Sequence, residues 1–450
     1  METALIGGRM IDGSGAEPVP EVAILMRDGR IAQVEPGGGS RVAPGATVID
    51  LEGRTVMPGL IDCHTHLTYH SSQPDVWQLD FKESVELNTL HAAQNARTIL
   101  ATGFTTIGDG GCRGFIGPAI RDGVALGLIP GPRVVAAGPI LCGPAGLLDG
   151  APPWMRVDSD AALGATVSGP EEVRREVRRQ IKGGVDWIKV AASGVAGSPY
   201  SAAEIEDLDA EEIHAAVREA AKFRKPVHAH AHCAAGIRAA VEAGVLSLHS
   251  GEFAEDPELL LMRERGVIFS PTIAWLQTRC LPGNGGPQGE RFLDEAWRAY
   301  DAACHALVRA RELGVKVAIG TDASHRFPHA PDAVVEMEYF AALGYAPLEI
   351  IAAATSIAAA ALGRSDEIGT IAAGKSADLL VVEGDPAEDV SVLRDKARIR
   401  HLFKDGRAVA LAPERGPIGA AFRAADWAHL SFEEVRARPP IVPASGAGSE

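Results

Sequence analysis

Met57-Pro-Gly-Leu-Ile-Asp-Cys-His-Thr-His66 is an apolar run that ends in two histidines, His64 and His66, two positions apart. Residues two apart on a β-strand point to the same side, so both imidazoles can reach one cation. Imidazole is the commonest metal ligand and suits a borderline-soft divalent ion such as zinc. A His-x-His pair is weak evidence by itself, because two neighbouring surface histidines often occur by chance. The pair becomes evidence for a metal site because it stands at the end of a predicted buried strand.

Similar short apolar runs alternate with longer amphipathic segments from residue 56 to residue 362. Eight runs are predicted strands: 55–63, 104–109, 133–137, 185–191, 226–231, 245–250, 267–271 and 315–321. Strands that are apolar throughout and alternate with helices indicate a parallel sheet that is covered on both faces. Eight such units predict an α/β fold of the TIM (β/α)8 barrel type, with the active site at the C-terminal ends of the strands.

The two ends of the chain are predicted to form a small module of their own. Both ends show alternating segments that turn through Asp-Gly, at Asp28-Gly29 and at Asp405-Gly406, which is typical of hairpins. We expect residues 1–55 and 363–437 to pair into one β-sandwich beside a barrel of residues 56–362. Residues 438–450, rich in Pro, Ala, Gly and Ser, are predicted to be disordered.

Composition narrows the class of protein and the kind of partner. The 450 residues are 46% hydrophobic and 23% charged, which is ordinary for a globular chain. The formal net charge of −16 argues against nucleic acid or an anionic membrane as partner and leaves a small-molecule substrate. The N-terminus lacks the pattern of a secretory signal, and six scattered cysteines suit reduced thiols. We therefore expect a cytoplasmic protein, and a homo-oligomer, as large barrels often are.

Further residues suited to metal binding stand at the ends of later predicted strands. Each has a structural explanation by itself: a lysine can extend its charge to solvent, an aspartate can cap a helix, and a core histidine is usually just hydrogen-bonded. Since the strands of a barrel end at one mouth, their joint occurrence predicts one site built from distant parts of the chain. The candidate ligands are His64, His66, Lys189, His230, His249 and Asp322.

Three histidines of the fifth predicted strand, His228, His230 and His232, lie on one side of that strand but at different depths. We expect only the histidine nearest the other ligands to bind metal, and assign this role to His230. His232 is predicted to be a rim residue that faces the substrate, and His228, the deepest of the three, to be a packed core histidine.

Four longer segments carry a resemblance to a known family. ARTILATGFTTIGDGG, GLIPGPRVVAAG, DWIKVAASGVAGSP and HAHCAAGIRAAVEAGV, with the His-x-His pair, resemble the prolidase-like branch of the amidohydrolase superfamily over nearly the whole chain. This branch includes Xaa-Pro and Xaa-Arg dipeptidases, ochratoxin-type amidases, and some carbamate and phenylurea hydrolases.

The resemblance implies a divalent metal, with Zn²⁺ the expected ion, and one or two ions per site. It implies that His64, His66 and Asp322 bind the first ion. If two ions are bound, it implies that a carboxylated Lys189 bridges them, and that His230 and a histidine of the sixth strand hold the second.

Two places depart from the pattern of the branch. The branch usually carries Glu-His-Gly on strand six, whereas this chain has His249-Ser250-Gly251, so that alignment on the glycine puts Ser250 in the ligand position. Either a bulge turns His249 to the metal, or the second site is weakened and one metal suffices. After strand three, the histidine that the branch often carries is missing, and Leu147 is expected to offer apolar surface.

The predicted reaction is hydrolysis of an amide-type C–N bond by water that a metal ion activates. Asp322 is the predicted catalytic base and then acid, and His232 the group that steadies the oxyanion or the leaving group. The predicted substrate contacts are Leu147, Tyr200, Trp275, His325 and His329.

The substrate class stays open on the sequence. Mostly apolar loop residues favour N-acyl, carbamate or aryl-urea compounds. A Xaa-Pro or Xaa-Arg dipeptidase is the alternative and would need an arginine for the free carboxylate, with Arg113, Arg156, Arg279 and Arg326 available. A ring deaminase or cyclic amidase of the same superfamily is a further alternative, and a catalytically inactive scaffold the last.

Overall fold

The computed structural model describes residues 2–37, 45–70, 76–196, 198–280, 289–323 and 333–410, with the backbone alone for 289–293. The predicted disordered tail at 438–450 and the predicted substrate contacts His325 and His329 lie outside these residues. Within the described residues, no helix is both long and apolar enough to cross a membrane.

Strands dominate both ends of the chain, and strands alternate with helices between them. The first strands are β1 (Glu2–Met10), β2 (Val19–Arg27), β3 (Arg30–Pro36), β4 (Thr47–Asp50) and β5 (Thr55–Pro58). The middle region comprises β6 (Leu60–Thr65), α1 (Leu79–Lys82), α2 (Val85–Leu100), β7 (Phe104–Asp109), α3 (Ile116–Ala125), β8 (Arg133–Ala136), β9 (Ile140–Cys142), β10 (Gly164–Thr166), α4 (Pro170–Lys182), β11 (Ile188–Ala191), α5 (Ala210–Ala221), β12 (Val227–Ala231), α6 (Ala234–Ala243), β13 (Ser247–Ser250), α7 (Asp256–Arg265), β14 (Ile268–Ser270), α8 (Ile273–Arg279), α9 (Gly289–Leu313), α10 (Val334–Ala342), α11 (Pro347–Ala353) and α12 (Ser356–Ala361). The last strands are β15 (Leu379–Val382), β16 (Ile399–Lys404) and β17 (Arg407–Ala408).

The middle strands pair in parallel, which confirms the predicted α/β class. β6, β7 and β8 form a three-stranded sheet, and β10-β9-β11-β12-β13-β14 form a six-stranded one. Hydrogen bonds join the two sheets around Asp186. Its amide donates to the carbonyl of Ala136 at 2.7 Å, its Oδ2 accepts from the amide of Ala136 at 2.9 Å, and Nε1 of Trp187 donates to the carbonyl of Val135 at 2.9 Å. The described residues therefore show two parallel sheets side by side and not one continuous barrel ladder.

The predicted eighth strand, at 315–321, is not a regular strand. It runs between β14 and β6 as single bridges, Phe269 to Val317 and Thr65 to Ala323, with the amide of Cys63 donating to the carbonyl of Ile319 at 2.9 Å. The barrel pattern of the sequence predicted that this segment lies next to the first strand. It did not show that the hydrogen bonding between the segment and its neighbours is interrupted.

Strands from both chain ends share one sheet, as the matching Asp-Gly turns predicted. Its order is β17-β16-β15-β5-β1-β2-β3, and β4 also pairs with β1. β15 is antiparallel to β5, with Val381 opposite Val56. The sheet has an apolar core of its own, which includes Leu5, Ile24 and Leu379. It is a single eight-stranded sheet, and a two-layered sandwich is not evident in it; the predicted domain limits stay predictions.

Local sequence explains where several helices start and stop. The Ser84 hydroxyl accepts a hydrogen bond from the amide of Leu87 at 3.2 Å and starts α2. Asp209 and Glu212 form a capping box at the start of α5, and Gly244, at φ 91°, ends α6 in the left-handed conformation. These contacts satisfy backbone groups that a helix end leaves without partners.

Gly59 explains why the first predicted strand, at 55–63, is split into β5 and β6. Its amide donates to the carbonyl of Asp378 at 2.8 Å, which ties this point to the C-terminal segment. A β-carbon at Gly59 would lie 2.7 Å from Cβ of Thr105, closer than real side chains approach. The chain therefore passes from the terminal sheet to the parallel sheet at a position where only glycine fits.

We expect Gly59→Ala to lower the free energy of unfolding by about 1–3 kcal/mol, because the added methyl overpacks against Thr105. Urea denaturation followed by circular dichroism measures this. The matched control is Gly123→Ala in α3, where the added β-carbon would make only an ordinary contact, 3.5 Å from Ile129. This control should raise stability by roughly 0.5–1 kcal/mol. Equal midpoints for the two variants would contradict the expectation.

Candidate metal centre

Three of the predicted ligands meet at the end of β6. Nε2 of His64 and Nε2 of His66 lie 3.5 Å and 3.1 Å from the same oxygen, Oδ1 of Asp322. All three residues are buried, and the amide of Asp322 donates to the carbonyl of His64 at 2.8 Å. Their ligand atoms lie within 4.8 Å of one another, which suits a shared ion.

The hydrogen bonding of His66 shows that this contact needs a cation. Nδ1 of His66 lies 2.9 Å from the carbonyl oxygen of Gly111. A carbonyl only accepts, so Nδ1 carries the proton and Nε2 of a neutral imidazole is an acceptor. This nitrogen faces a carboxylate oxygen, which also only accepts. Two acceptors at 3.1 Å repel each other unless a positive charge, either a proton or a metal ion, lies with them.

The other predicted ligands share one face of the six-stranded sheet. Lys189 pairs with His228, and His230 pairs with His249 in the next strand. Paired residues of neighbouring strands project to the same side of a sheet. Nζ of Lys189 lies 2.5 Å from Nδ1 of His249, and the rings of His249 and His64 are 4.1 Å apart between centroids. This face therefore meets the end of β6.

His249 needs no bulge to face the other ligands. Its pairing with His230 runs without a register shift, and Ser250, on the opposite side of the strand, takes a left-handed φ of 77°. Gly251 follows at φ 71°. The imidazole of His249 therefore faces the same side of the sheet as His230 and Lys189. Of the two alternatives left open, the structure places the imidazole of His249, and not the hydroxyl of Ser250, next to Lys189.

Burial favours the neutral form of four imidazoles, those of His64, His228, His230 and His249. It lowers the pKa of His64 to about 3, with the nearby charge of Lys189 adding to the effect. The pKa values of His228, His230 and His249 are also held well below their usual range, first by burial and then by neighbouring positive groups. Neutral imidazole is the form that binds metal, because the charged form has no free lone pair.

The pKa values of the Asp322 carboxylate and the Lys189 amine are both lowered, but for different reasons. Burial opposes ionisation of Asp322, and its pKa is held well below the usual range where His64 and His66 offer it a proton or a positive charge. Burial lowers the pKa of Lys189 to about 7, which is far below that of an exposed lysine.

Several buried nitrogen atoms of this site have no hydrogen-bond partner among the described residues. They include Nδ1 of His64, Nε2 of His230 and Nε2 of His249. A buried polar atom without a partner costs about 1–3 kcal/mol. Nitrogen atoms with lone pairs, beside an ionised carboxylate, form a donor set that fits a divalent cation.

The sequence profile of the amidohydrolase family matches residues 55–409, from β5 to the end of the last strand. The chain belongs to the amidohydrolase family. Ochratoxinase from Aspergillus niger is 30% identical over 93% of this chain and 88% of its own length, and its crystal structure superposes with a TM-score of 0.80.

Two further solved structures are similar to this amidohydrolase. A Xaa-Pro dipeptidase with methionine bound in its active site is 29% identical, with a TM-score of 0.81 over 91% of this chain and all of that one. Phenylurea hydrolase B is 23% identical, with a TM-score of 0.73 over 91% of this chain and 97% of that one, and shows the shared fold alone.

Sequence reasoning missed three side chains that position the ligands of this amidohydrolase. Oδ1 of Asp62 accepts hydrogen bonds from the amides of His64 and Thr321, both at 3.1 Å, and so ties β6 to the segment before Asp322. Asp109 accepts from the amide of Leu67 at 3.2 Å, and Tyr69 stacks on His66 at 4.3 Å. The two carboxylates interrupt apolar runs, and this was the signal in the sequence.

The predicted substrate contacts have separate environments. Leu147 is buried in an apolar cluster against which Trp77 and Trp275 pack, and the Trp77 indole nitrogen donates to the carbonyl of Leu147 at 2.9 Å. Tyr200 is 47% exposed and lies in the loop after β11. His228 is fully buried against the ring of Trp187, 3.7 Å away between centroids, as predicted for a core histidine.

A second His-Glu-His group, His70, Glu83 and His91, does not have the geometry of a metal centre. Nε2 atoms of the two histidines lie 3.0 Å and 3.9 Å from Oε2 of Glu83. Their rings, however, are stacked 3.9 Å apart and within 13° of parallel. A metal ion lies close to the plane of each imidazole that binds it, and two stacked planes cannot both contain one ion.

We expect Gly110→Ala to weaken metal binding by about 10- to 100-fold, the usual cost of disturbing the support of a ligand. The added β-carbon would lie 2.6 Å from Cε1 of His64 and would push its ring away from Asp322. Competition with a chromogenic chelator measures the affinity. Gly123→Ala again serves as the control, and a Gly110→Ala protein with wild-type affinity would show that His64 does not bind the ion.

Proposed function

We propose that this amidohydrolase cleaves an amide-type C–N bond of a hydrophobic small molecule, with water activated by a divalent ion. The facing acceptors of His66 and Asp322, 3.1 Å apart, are the observation that carries the proposal, because they need a positive charge between them and a divalent ion would supply it. The proposed ligands are His64, His66, Lys189, His230, His249 and Asp322.

Zn²⁺ is the proposed ion, since neutral imidazoles make up most of the donor set. A bound ion of this kind lowers the pKa of water and polarises the carbonyl group. The low pKa of Lys189, about 7, supports a second ion, because a neutral amine can react with CO₂. The amine nitrogen would form a bond to carbon, release one proton and leave a carbamate that can bridge two ions.

Asp322 is the proposed proton carrier. A positive charge beside it favours the ionised form of this carboxylate, so it can accept the proton of the attacking water. Returning that proton to the departing nitrogen lets one group act as base and then as acid. His232, whose ring lies 4.3 Å from that of His230, is the proposed contact of the carbonyl oxygen or the leaving group.

We further propose that the two parallel sheets and the bridging segment at 315–321 form a closed barrel. The single bridges on both sides of that segment support it. In such a barrel the C-terminal ends of the strands meet at one mouth, where the substrate would enter.

The apolar cluster around Leu147, here called the substrate wall, supports a hydrophobic substrate. Leu147, Ile140 and Val195 are buried together, with Trp77 and Trp275 packed against them. N-acyl, carbamate and aryl-urea compounds present apolar groups beside a C–N bond and fit such a wall. The resemblance to ochratoxinase over 93% of this chain supports amide cleavage on the same scaffold.

One observation favours a second candidate, hydrolysis of Xaa-Pro or similar dipeptides. The guanidinium of Arg279 is almost buried, donates from Nη2 to the carbonyl of Ala196 at 2.6 Å and lies 4.6 Å above the ring of Trp275, beside the proposed substrate wall. A buried arginine suits the free carboxylate of a peptide. Of the other arginines considered, Arg113 donates to the carbonyls of Asp80, Glu83 and Ala161, Arg156 is exposed, and Arg326 lies outside the described residues.

A substrate panel tests the proposal. Zn²⁺-loaded protein should release amine from hydrophobic N-acyl amino acids, anilides or aryl-ureas, and Asp322→Asn should reduce kcat by about 10²- to 10⁴-fold. Turnover restricted to dipeptides would establish the second candidate instead. Ammonia release from an aminated heterocycle would indicate a deaminase. A metal-loaded protein that cleaves no C–N bond would refute the proposal.

We expect Lys189→Met to reduce the metal content by one ion per chain and kcat by about 10- to 100-fold, because the bridging ligand is lost while the buried volume is nearly kept. Elemental analysis and steady-state kinetics measure the two effects. Lys182→Met, at an exposed position of α4, is the matched control. Unchanged metal content in Lys189→Met would contradict a bridging role of Lys189.

A further inference from the structure

A buried carboxylate outside the proposed ligand set contacts His232. Oε2 of Glu252 is hydrogen-bonded to Nδ1 of His232. The side chains of Glu252 and His232 are only 1% and 2% exposed, so the pair is closed off from solvent. A buried carboxylate is costly unless it serves a partner, and here the partner is a histidine next to a proposed metal ligand.

The end of β13 brings Glu252 to this position. Ser250 and Gly251 both take left-handed conformations, at φ 77° and 71°, which turn the chain out of the strand. The amide of Gly251 donates to the carbonyl of Ala231 at 2.7 Å, and that of Phe253 to the carbonyl of His232 at 3.3 Å. These two bonds hold the turn against the end of β12, and Glu252 lies between them.

Only glycine fits the second position of this turn. A β-carbon on Gly251 would lie 2.6 Å from Cε2 of Phe269, in addition to the strain of its positive φ. The His249-Ser-Gly-Glu252 sequence therefore performs two tasks within four residues. It presents His249 to the metal side and returns Glu252 to His232.

The contact with Glu252 determines the tautomer of His232. An ionised carboxylate only accepts hydrogen bonds, so Nδ1 of His232 carries a proton and Nε2 keeps a lone pair when the ring is neutral. Nε2 is buried and has no partner among the described residues. The amide of His232 donates to Oγ of Ser193 at 2.8 Å, so its backbone and one ring nitrogen are both fixed.

We infer that Glu252 is a positioning residue for the hydrolysis, which holds the ring of His232 in one orientation and one tautomer beside His230. The inference rests on the proposed function, because His232 acts only if a substrate is cleaved at this site. The arrangement follows a general rule, in which a carboxylate on one ring nitrogen orients a histidine whose other nitrogen meets the substrate. Glu252 itself contacts no reacting atom.

Variants of Glu252 separate a positioning role from a structural one. We expect Glu252→Ala to lower kcat by at least about tenfold, with KM within about twofold of wild type and with unchanged metal content. Glu252→Gln should recover part of the loss, since its amide oxygen can still accept from Nδ1. Glu258→Gln is the control, because Glu258 is equally buried but pairs with Arg238; it should change stability and leave kcat as it is.

A double-mutant cycle tests whether Glu252 acts through His232. His232→Asn keeps a donor near the position of Nδ1 and removes Nε2. If Glu252 acts only through this ring, adding Glu252→Ala to His232→Asn should lower kcat by no more than about twofold further. If the losses in kcat of the two single variants multiply in the double variant, the inference is wrong. It is also wrong if the Glu252→Ala enzyme has wild-type kcat or binds less metal.

Failure of the inference and failure of the proposed function give different results. Wild-type enzyme that cleaves a C–N bond, with no effect of Glu252→Ala, overturns the positioning role and leaves the proposed function intact. Wild-type protein that is loaded with metal but cleaves nothing overturns both.

Discussion

His66 and Asp322 meet in the interior with two proton-accepting atoms facing each other, and the rest of the site is arranged around this contact. The carbonyl of Gly111 fixes the tautomer of His66, and a second imidazole, that of His64, approaches the same carboxylate oxygen at 3.5 Å. A buried arrangement of this kind is unfavourable without a positive charge at its centre. Because the backbone of three chain segments converges there, the requirement for a cation is built into the fold.

The free-energy cost of burying polar atoms without partners is concentrated around the proposed metal site. Buried ring nitrogens of His64, His228, His230, His232 and His249 lack partners among the described residues, and each such atom opposes folding by about 1–3 kcal/mol. Apolar side chains at the same positions would pack without that cost. Binding of an ion or a substrate to these atoms would recover part of the energy. The arrangement is therefore best understood as one that serves chemistry and not stability.

Much of this was accessible from the sequence, because the signals were local. His64 and His66 stand two apart at the end of an apolar run, and period and burial pattern located seven of the eight predicted strands within a few residues. The pairing of the two chain ends followed from their matching Asp-Gly turns. Two features could not be predicted from local signals: the ladder at 315–321 consists of single bridges, and the terminal strands share one sheet. Hydrogen bonding between distant segments decides both, and no short pattern reports it.

By itself, the sequence determined the α/β class, because residue type and periodicity are properties of the chain alone. Its longer segments carried the resemblance to the family, and its strand ends supplied the candidate metal ligands. The tertiary structure alone decided which atoms face each other. It placed His249 and not Ser250 beside Lys189, and it turned Glu252 back to His232. These contacts join residues of different elements, and their geometry depends on strand register and on left-handed turns, which are set only when the whole sheet assembles.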